Sequence, residues 1–93
     1  MRITFDPAKR EKTLSERGFD FAIDAVEVFT GRHFTAEDKR LAYPEARFQS
    51  FGLLQGRMVM VVWTPDGEAR RVISMRKCND REQKKYRPAL GQD

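Results

Sequence analysis

The segment Arg70-Arg71-Val72-Ile73-Ser74-Met75-Arg76-Lys77 joins an apolar strand pattern to three arginines and a lysine, and runs straight into a second basic stretch, Arg81 to Arg87. An unpaired charge is costly to take out of water. Such a strand therefore implies a solvated face, a set of internal ion pairs, or a site built for phosphate. Arginine suits the last of these, because its planar fork makes bidentate hydrogen bonds to phosphate. Beyond Glu68 the bases are Arg70, Arg71, Arg76, Lys77, Arg81, Lys84, Lys85 and Arg87, against Asp80, Glu82 and Asp93, so positive charge gathers toward the C-terminus.

Cleavage of RNA by its own 2′-hydroxyl is one reaction open to these residue types. It asks for a base near that hydroxyl, cations to stabilise the charge building on the phosphate, and an acid for the leaving oxygen. It asks for neither a metal nor a cofactor. Arginines such as Arg71 and Arg76 fit the middle task, and Glu45, or a tyrosine or lysine with a shifted pKa, fits proton transfer. Strand geometry restrains the idea. Arg71, Ile73 and Met75 point one way and Val72, Ser74 and Arg76 the other, so Arg71 and Arg76 share a face only across a bulge or past the strand end. Glu45 and Arg47 also fall on one face, where they equally well pair with each other or with a neighbouring strand. Tyr86 either packs as a helix anchor or exposes its hydroxyl beside Lys85 and Arg87.

Other chemistries find little support. There is no Gly-rich phosphate loop, no Cys/His cluster and no nucleophile elbow. His33, the only histidine, has no evident partner. Cys78 reads as a structural thiol, with a lowered pKa from Arg76, Lys77 and Arg81 as the lesser reading. Asp38 and Glu45 match no metal-ligand spacing.

These residues need elements to carry them. Arg2 to Phe5 reads as a short strand or lead-in, and Asp6-Pro7 as a helix start running to about Glu16 and stopped by Gly18. Asp20 reads as the cap of a second helix, with Phe21, Ala22, Ala25, Val26, Val28 and Phe29 largely at helical spacing and Asp24 and Glu27 off that stripe. His33 to Ala42 is ambiguous. Glu45 to Phe51 alternates as a strand does, Leu53 to Gly56 reads as a turn, and Met58 to Trp63 is a continuous apolar run suited to a central strand. Thr64-Pro65-Asp66-Gly67 is a hairpin turn, the arginine strand follows, and Asn79 or Asp80 caps a last helix that Pro88 ends. The expected fold is α+β: two N-terminal helices packed on a small antiparallel sheet of three to four strands, then a short C-terminal helix. Phe21, Phe29, Phe48, Phe51 and Trp63 belong in its core.

Ninety-three residues imply one domain over residues 1–93, and hydrophobic residues at 40% with charged residues at 34% imply a globular chain. A net charge of +4 and a pI near 9.6 are compatible with an anionic partner. A lone cysteine, no signal-like N-terminus and no apolar run long enough to span a bilayer point to the cytoplasm and away from membranes.

An ordered set of short motifs resembles the BrnT family of bacterial type II toxins. It comprises Phe5-Asp6-Pro7-Ala8-Lys9, Arg17-Gly18-Phe19-Asp20-Phe21, Ala25-Val26-Glu27-Val28-Phe29 and Asp38-Lys39-Arg40. It continues through Glu45-Ala46-Arg47-Phe48, Arg71-Val72-Ile73-Ser74-Met75-Arg76 and Arg81-Glu82 to Tyr86. The resemblance implies a RelE-like fold and a ribonuclease that arrests translation. It also implies a BrnA-like antitoxin with a ribbon-helix-helix domain, through which alone the pair reaches operator DNA. Carried onto this chain, the family's polar positions fall on Lys9, Glu45, Arg47, Arg71, Ser74, Arg76 and Tyr86. The expected site is then Arg71, Arg76, Glu45 and Tyr86 for catalysis, with Lys9, Arg47, Ser74, Lys77, Arg81, Lys84 and Lys85 on the RNA. The chain departs from the family where Thr13-Leu14 and Arg17-Gly18 replace an Asn-Leu pair and a His-Gly. It departs again at Leu53-Leu54-Gln55-Gly56, where two exposed leucines would suit a partner contact. The competing reading is a non-catalytic basic module that binds RNA or protein.

Overall fold

The computed structural model describes residues 1–91. Strand β1 (Arg2–Thr4) leads to helix α1 (Pro7–Arg17) and helix α2 (Asp24–Thr30). Strands β2 (His33–Glu37), β3 (Phe48–Leu54), β4 (Arg57–Asp66) and β5 (Ala69–Lys77) follow, then helix α3 (Asp80–Tyr86) and a 3₁₀ turn, Arg87–Leu90. The sheet has five strands in the order β1-β5-β4-β3-β2. Strands β2 to β5 form an antiparallel meander, and β1 joins β5 in parallel through Arg2–Ala69, Ile3–Arg70 and Thr4–Arg71.

The expected architecture of two N-terminal helices on an antiparallel sheet of three to four strands is therefore corrected. The sheet is larger and mixed, strands dominate, and the short strand read at the N-terminus joins the sheet in parallel. The reason lies at the N-terminus. The chain leaves β1 along the free edge of β5, and α1 continues along that edge until Arg17 Nη1 donates to the Met75 carbonyl at 2.8 Å. Strand and helix thus divide the covering of one edge, which would otherwise present unpaired backbone groups.

Apolar residues alternate along β4 and load both faces of the sheet. Val59, Val61 and Trp63 join Ala25, Val28 and Phe29 of α2, with Phe19, Phe21, Leu54, Val72 and Met75, in one core. Met58, Met60 and Val62 join Phe51, Cys78 and Leu90 in a second core on the other face, closed by Tyr86. This is why the run Met58 to Trp63 is continuous, as in a strand covered on both sides. Each such side chain, fully buried, stabilises by roughly 1.5–3 kcal/mol. α2 lies close on β3: a Cβ at Gly52 would sit 2.9 Å from Val28 Cγ1.

α1 is held differently. Asp6 caps it through the Ala8 amide at 2.9 Å, and Gly18 ends it at φ 77°, a left-handed conformation that suits glycine. None of its residues is buried. Its flank is fixed by Arg10, which makes a bidentate pair with Asp20 at 2.8 and 2.9 Å. Asp20 also accepts from the Ala22 amide, and α2 proper begins only at Asp24. α3 carries a full capping box, in which Asn79 accepts from the Glu82 amide and Glu82 accepts from the Asn79 amide.

Two further expectations change. The strand anticipated from Glu45 begins at Phe48, and the turn anticipated from Leu53 is shortened to Gln55-Gly56, both at positive φ. Leu54 is buried in the α2-side core and Leu53 packs against the other, so neither is a free apolar contact. Among the described residues no helix is long and apolar enough to cross a membrane.

Candidate active site

A bulge decides how the arginine strand presents its charges. Trp63 pairs with Val72 and Val62 with Ser74, so Ile73 is the extra residue on β5. Val72 and Met75, three apart, both enter the α2-side core. Arg71 and Arg76 alternate with them and fall together on the opposite face.

Their surroundings then differ. Arg71 is exposed and lines a cleft of about 180 Å³ with Lys9, Glu45, Arg47, Asp6, Val72 and Ile73. Lys9 comes from the first turns of α1, Arg71 from β5, and Glu45 and Arg47 from the loop before β3. That loop is pinned at both ends. The Asp38 amide donates to the Arg47 carbonyl at 2.7 Å, and Thr64 Oγ1 donates to the Ala46 carbonyl at 2.6 Å. A second hollow of about 180 Å³ shares Lys9 and Ile73 with the cleft, and adds Lys12, Thr13, Glu16, Arg17 and Ser74 to the wall.

Charges in the cleft are unspent. The ion pairs among the described residues are Arg10–Asp20, Arg40–Asp38 and Arg76–Glu82. Glu45 therefore pairs with neither Arg47 nor a neighbouring strand. Arg47 lies with its Cζ 4.3 Å from the Tyr43 ring centroid, and its Nε is buried without a hydrogen-bond partner.

Arg76 is bound elsewhere. Its Nη1 and Nη2 donate to the Glu82 carboxylate at 2.7 and 2.6 Å, which ties β5 to α3. The pairing, first through the hydrogen bonds, raises the Arg76 pKa and lowers that of Glu82. Tyr86 stacks on Phe51 with centroids 4.0 Å apart and on Phe34 at 5.9 Å. Lys77, Arg81, Lys84 and Lys85 are exposed around α3, outside the cleft wall. Of the expected site, the fold thus gathers Lys9, Glu45, Arg47 and Arg71, sets Ser74 beside them, and holds Arg76 and Tyr86 in the packing of α3.

Two features escaped sequence reasoning. Asp38, whose side chain is 1% exposed, accepts from Arg40 Nε and Nη2 at 2.8 and 2.7 Å and from the Tyr43 hydroxyl at 3.2 Å. Arg40 chiefly, against the cost of burial, holds its carboxyl at about 2. Arg70, on the α2 face, packs its guanidinium over Phe29 and Trp63 at 4.6 and 4.5 Å. The Cys78 thiol is pushed up to about 11, first by burial and then by Glu82, so it is an inert part of the second core.

The family model for the ribonuclease toxin BrnT, of type II toxin-antitoxin systems, matches residues 5–82. The chain belongs to the BrnT family. No curated protein matches it. As a BrnT protein it is a ribonuclease toxin of a type II toxin-antitoxin system, with RNA as its substrate and an antitoxin as its partner. The matched span contains every residue of the cleft described above, from Asp6 to Ile73.

Proposed function

We propose that this BrnT toxin cleaves RNA in the cleft between α1, β5 and the loop before β3, by attack of the substrate's own 2′-hydroxyl. Glu45 takes the proton from that hydroxyl, and the freed oxygen attacks the adjacent phosphorus. Arg71 and Arg47 stabilise the negative charge that builds on the phosphoryl oxygens. Lys9 gives a proton to the departing 5′-oxygen, which leaves a 2′,3′-cyclic phosphate and a 5′-hydroxyl. Ser74, Lys12 and Arg17 line the path of the neighbouring backbone, and the cations around α3, Lys77, Arg81, Lys84 and Lys85, extend the positive field. The chain acts as one domain in the cytoplasm. A BrnA-like ribbon-helix-helix antitoxin silences it, and operator DNA is reached only through that antitoxin.

The observation that carries this reading is one cleft holding three cations and two carboxylates, Glu45 and the α1 cap Asp6, with no ion pair spent among them. Preorganised charge of this kind does a metal's electrostatic work without a metal. The test is cleavage of a defined RNA by the purified chain in EDTA, with the products resolved by mass. Cyclic phosphate ends and full activity in EDTA are expected, and Glu45→Gln should slow the reaction about a hundredfold or more. Strict dependence on magnesium with 5′-phosphate products would overturn the mechanism. RNA binding without cleavage would instead favour the non-catalytic module.

A further inference from the structure

The loop between β2 and β3 frames an open hollow of about 400 Å³, larger than the cleft and sharing Glu45 and Arg47 with it. Its size lies in the range of small-molecule sites. The geometry points to a guanine-binding subsite here, which holds a nucleobase next to the phosphate gripped in the cleft and so sets where the RNA is cut. The inference rests on the cleft reading above and adds the specificity it lacks.

Four observations support it. Tyr43 lines the hollow and is fixed by its hydroxyl to the buried Asp38 carboxylate, which Arg40 also grips. A ring held in place before the ligand arrives is a stacking platform that needs no ordering on binding. Arg47 stacks on that ring, and a guanidinium plane beside an aromatic one suits a splayed-out base. Arg47 also lines the hollow, and its buried Nε has no partner among the described residues, although buried donors are nearly always bonded. Last, Glu37, Lys39 and Glu45 bring charge to the wall, and Glu37 and Lys39 are in no ion pair among the described residues. Carboxylates accept and an ammonium donates. Guanine offers that pattern on its Watson–Crick edge, with N1–H and the N2 amino group as donors beside O6 as acceptor. Uracil presents a single donor between two acceptors and fits less well.

Heptameric RNAs with 2′-O-methyl sugars, which cannot be cleaved, allow affinity to be read alone. In an oligoadenosine frame the central nucleotide is varied among guanine, adenine, cytosine, uracil and an abasic residue. Wild-type protein should bind the guanine form about five- to a hundredfold more tightly than the abasic form, as one stacked and hydrogen-bonded base contributes. Tyr43→Ala should erase that difference. Tyr43→Phe, which keeps the ring and loses the bond to Asp38, should retain most of it. Equal affinity for guanine and abasic forms in the wild type would overturn the subsite. So would a Tyr43→Phe variant as indifferent as Tyr43→Ala, since Tyr43 would then only brace the loop. Arg71→Ala should weaken all five oligonucleotides alike, and failure of that result alone would overturn the cleft and not the base subsite.

Discussion

Replacing Arg76 by alanine should cost stability and leave cleavage nearly intact, the reverse of what Arg71→Ala should do. Arg76 makes two short hydrogen bonds to Glu82, with side-chain exposures of 35% and 20%. A wholly exposed pair contributes about 0–1 kcal/mol and breaking a buried one costs about 3–5 kcal/mol, so this half-buried pair lies between, at about 2 kcal/mol. The loss is tempered because Glu82 keeps its bond from the Asn79 amide at 2.9 Å and sits in the first turn of α3, where the helix dipole favours a carboxylate. For a chain of this size, about 2 kcal/mol lowers Tm by roughly 8–16 °C. Arg71 is exposed and in no ion pair among the described residues, so Arg71→Ala should leave stability within about 0.5 kcal/mol. Losing a charge-assisted contact to the transition state, by contrast, should slow cleavage some thirty- to a thousandfold, for about 2–4 kcal/mol. Circular dichroism melts and single-turnover cleavage, the latter well below both melting points, separate the two. If Arg76→Ala melts like the wild type yet loses cleavage thirtyfold, the reasoning fails, because Arg76 would then release Glu82 and reach the substrate.

Three other outcomes follow from the same structure. The folded pKa of Asp38, about 2, lies below its ordinary 3.8, so the unfolded chain binds the extra proton. Its stabilisation is complete above about pH 5 and is lost as pH falls toward 2. Urea titrations across that window should show a drop of about 1–2 kcal/mol that is absent in Asp38→Asn, with solvent-facing Arg40 keeping the value modest. RNA affinity should fall with salt: three to five cations among Lys9, Arg47, Arg71, Lys12 and Arg17 on a single strand give a log–log slope of roughly −2 to −3.5, and a flat dependence would contradict the groove. Gly52→Ala should destabilise by about 1–3 kcal/mol, since its methyl meets Val28 at 2.9 Å and His33 Cβ at 3.2 Å, and a chemical melt matching the wild type would refute that close packing.

Local signals in the sequence were reliable where the backbone itself dictated the outcome. Asp6-Pro7 and Gly18 bound α1, Asn79 caps α3, and the run Met58 to Trp63 lies within a central strand. The parallel pairing of β1 left no trace, because three residues are too few for a period and their partner lies over sixty residues away. The bulge at Ile73 was equally silent, yet it alone turns Arg71 and Arg76 to one face. Within the candidate site, Arg71 and Glu45 were legible as residue types and Lys9 and Arg47 came from the family resemblance, whereas their meeting in one cleft depends on the loop that Asp38 and Thr64 pin. The fate of Arg76 was half written in the capping spacing of Asn79 and Glu82: a glutamate fixed at the start of a helix just after a strand is well placed to take that strand's last arginine.

α1 buries no residue and is secured by its caps, by Arg10 on Asp20 and by Arg17 on the Met75 carbonyl. Each of these tethers is a polar contact near water, so detaching the helix exposes little apolar surface. Its amides should therefore exchange with solvent deuterium through a local opening far cheaper than global unfolding, while those of β4, packed between two cores, wait for the whole molecule to unfold. Lys9 rides on that helix and lines the cleft, so the proton donor proposed above sits on an element held by polar tethers alone. Substrate phosphate, by gripping Lys9, would then slow exchange along all of α1, and RNA would complete its own active site by quieting one helix.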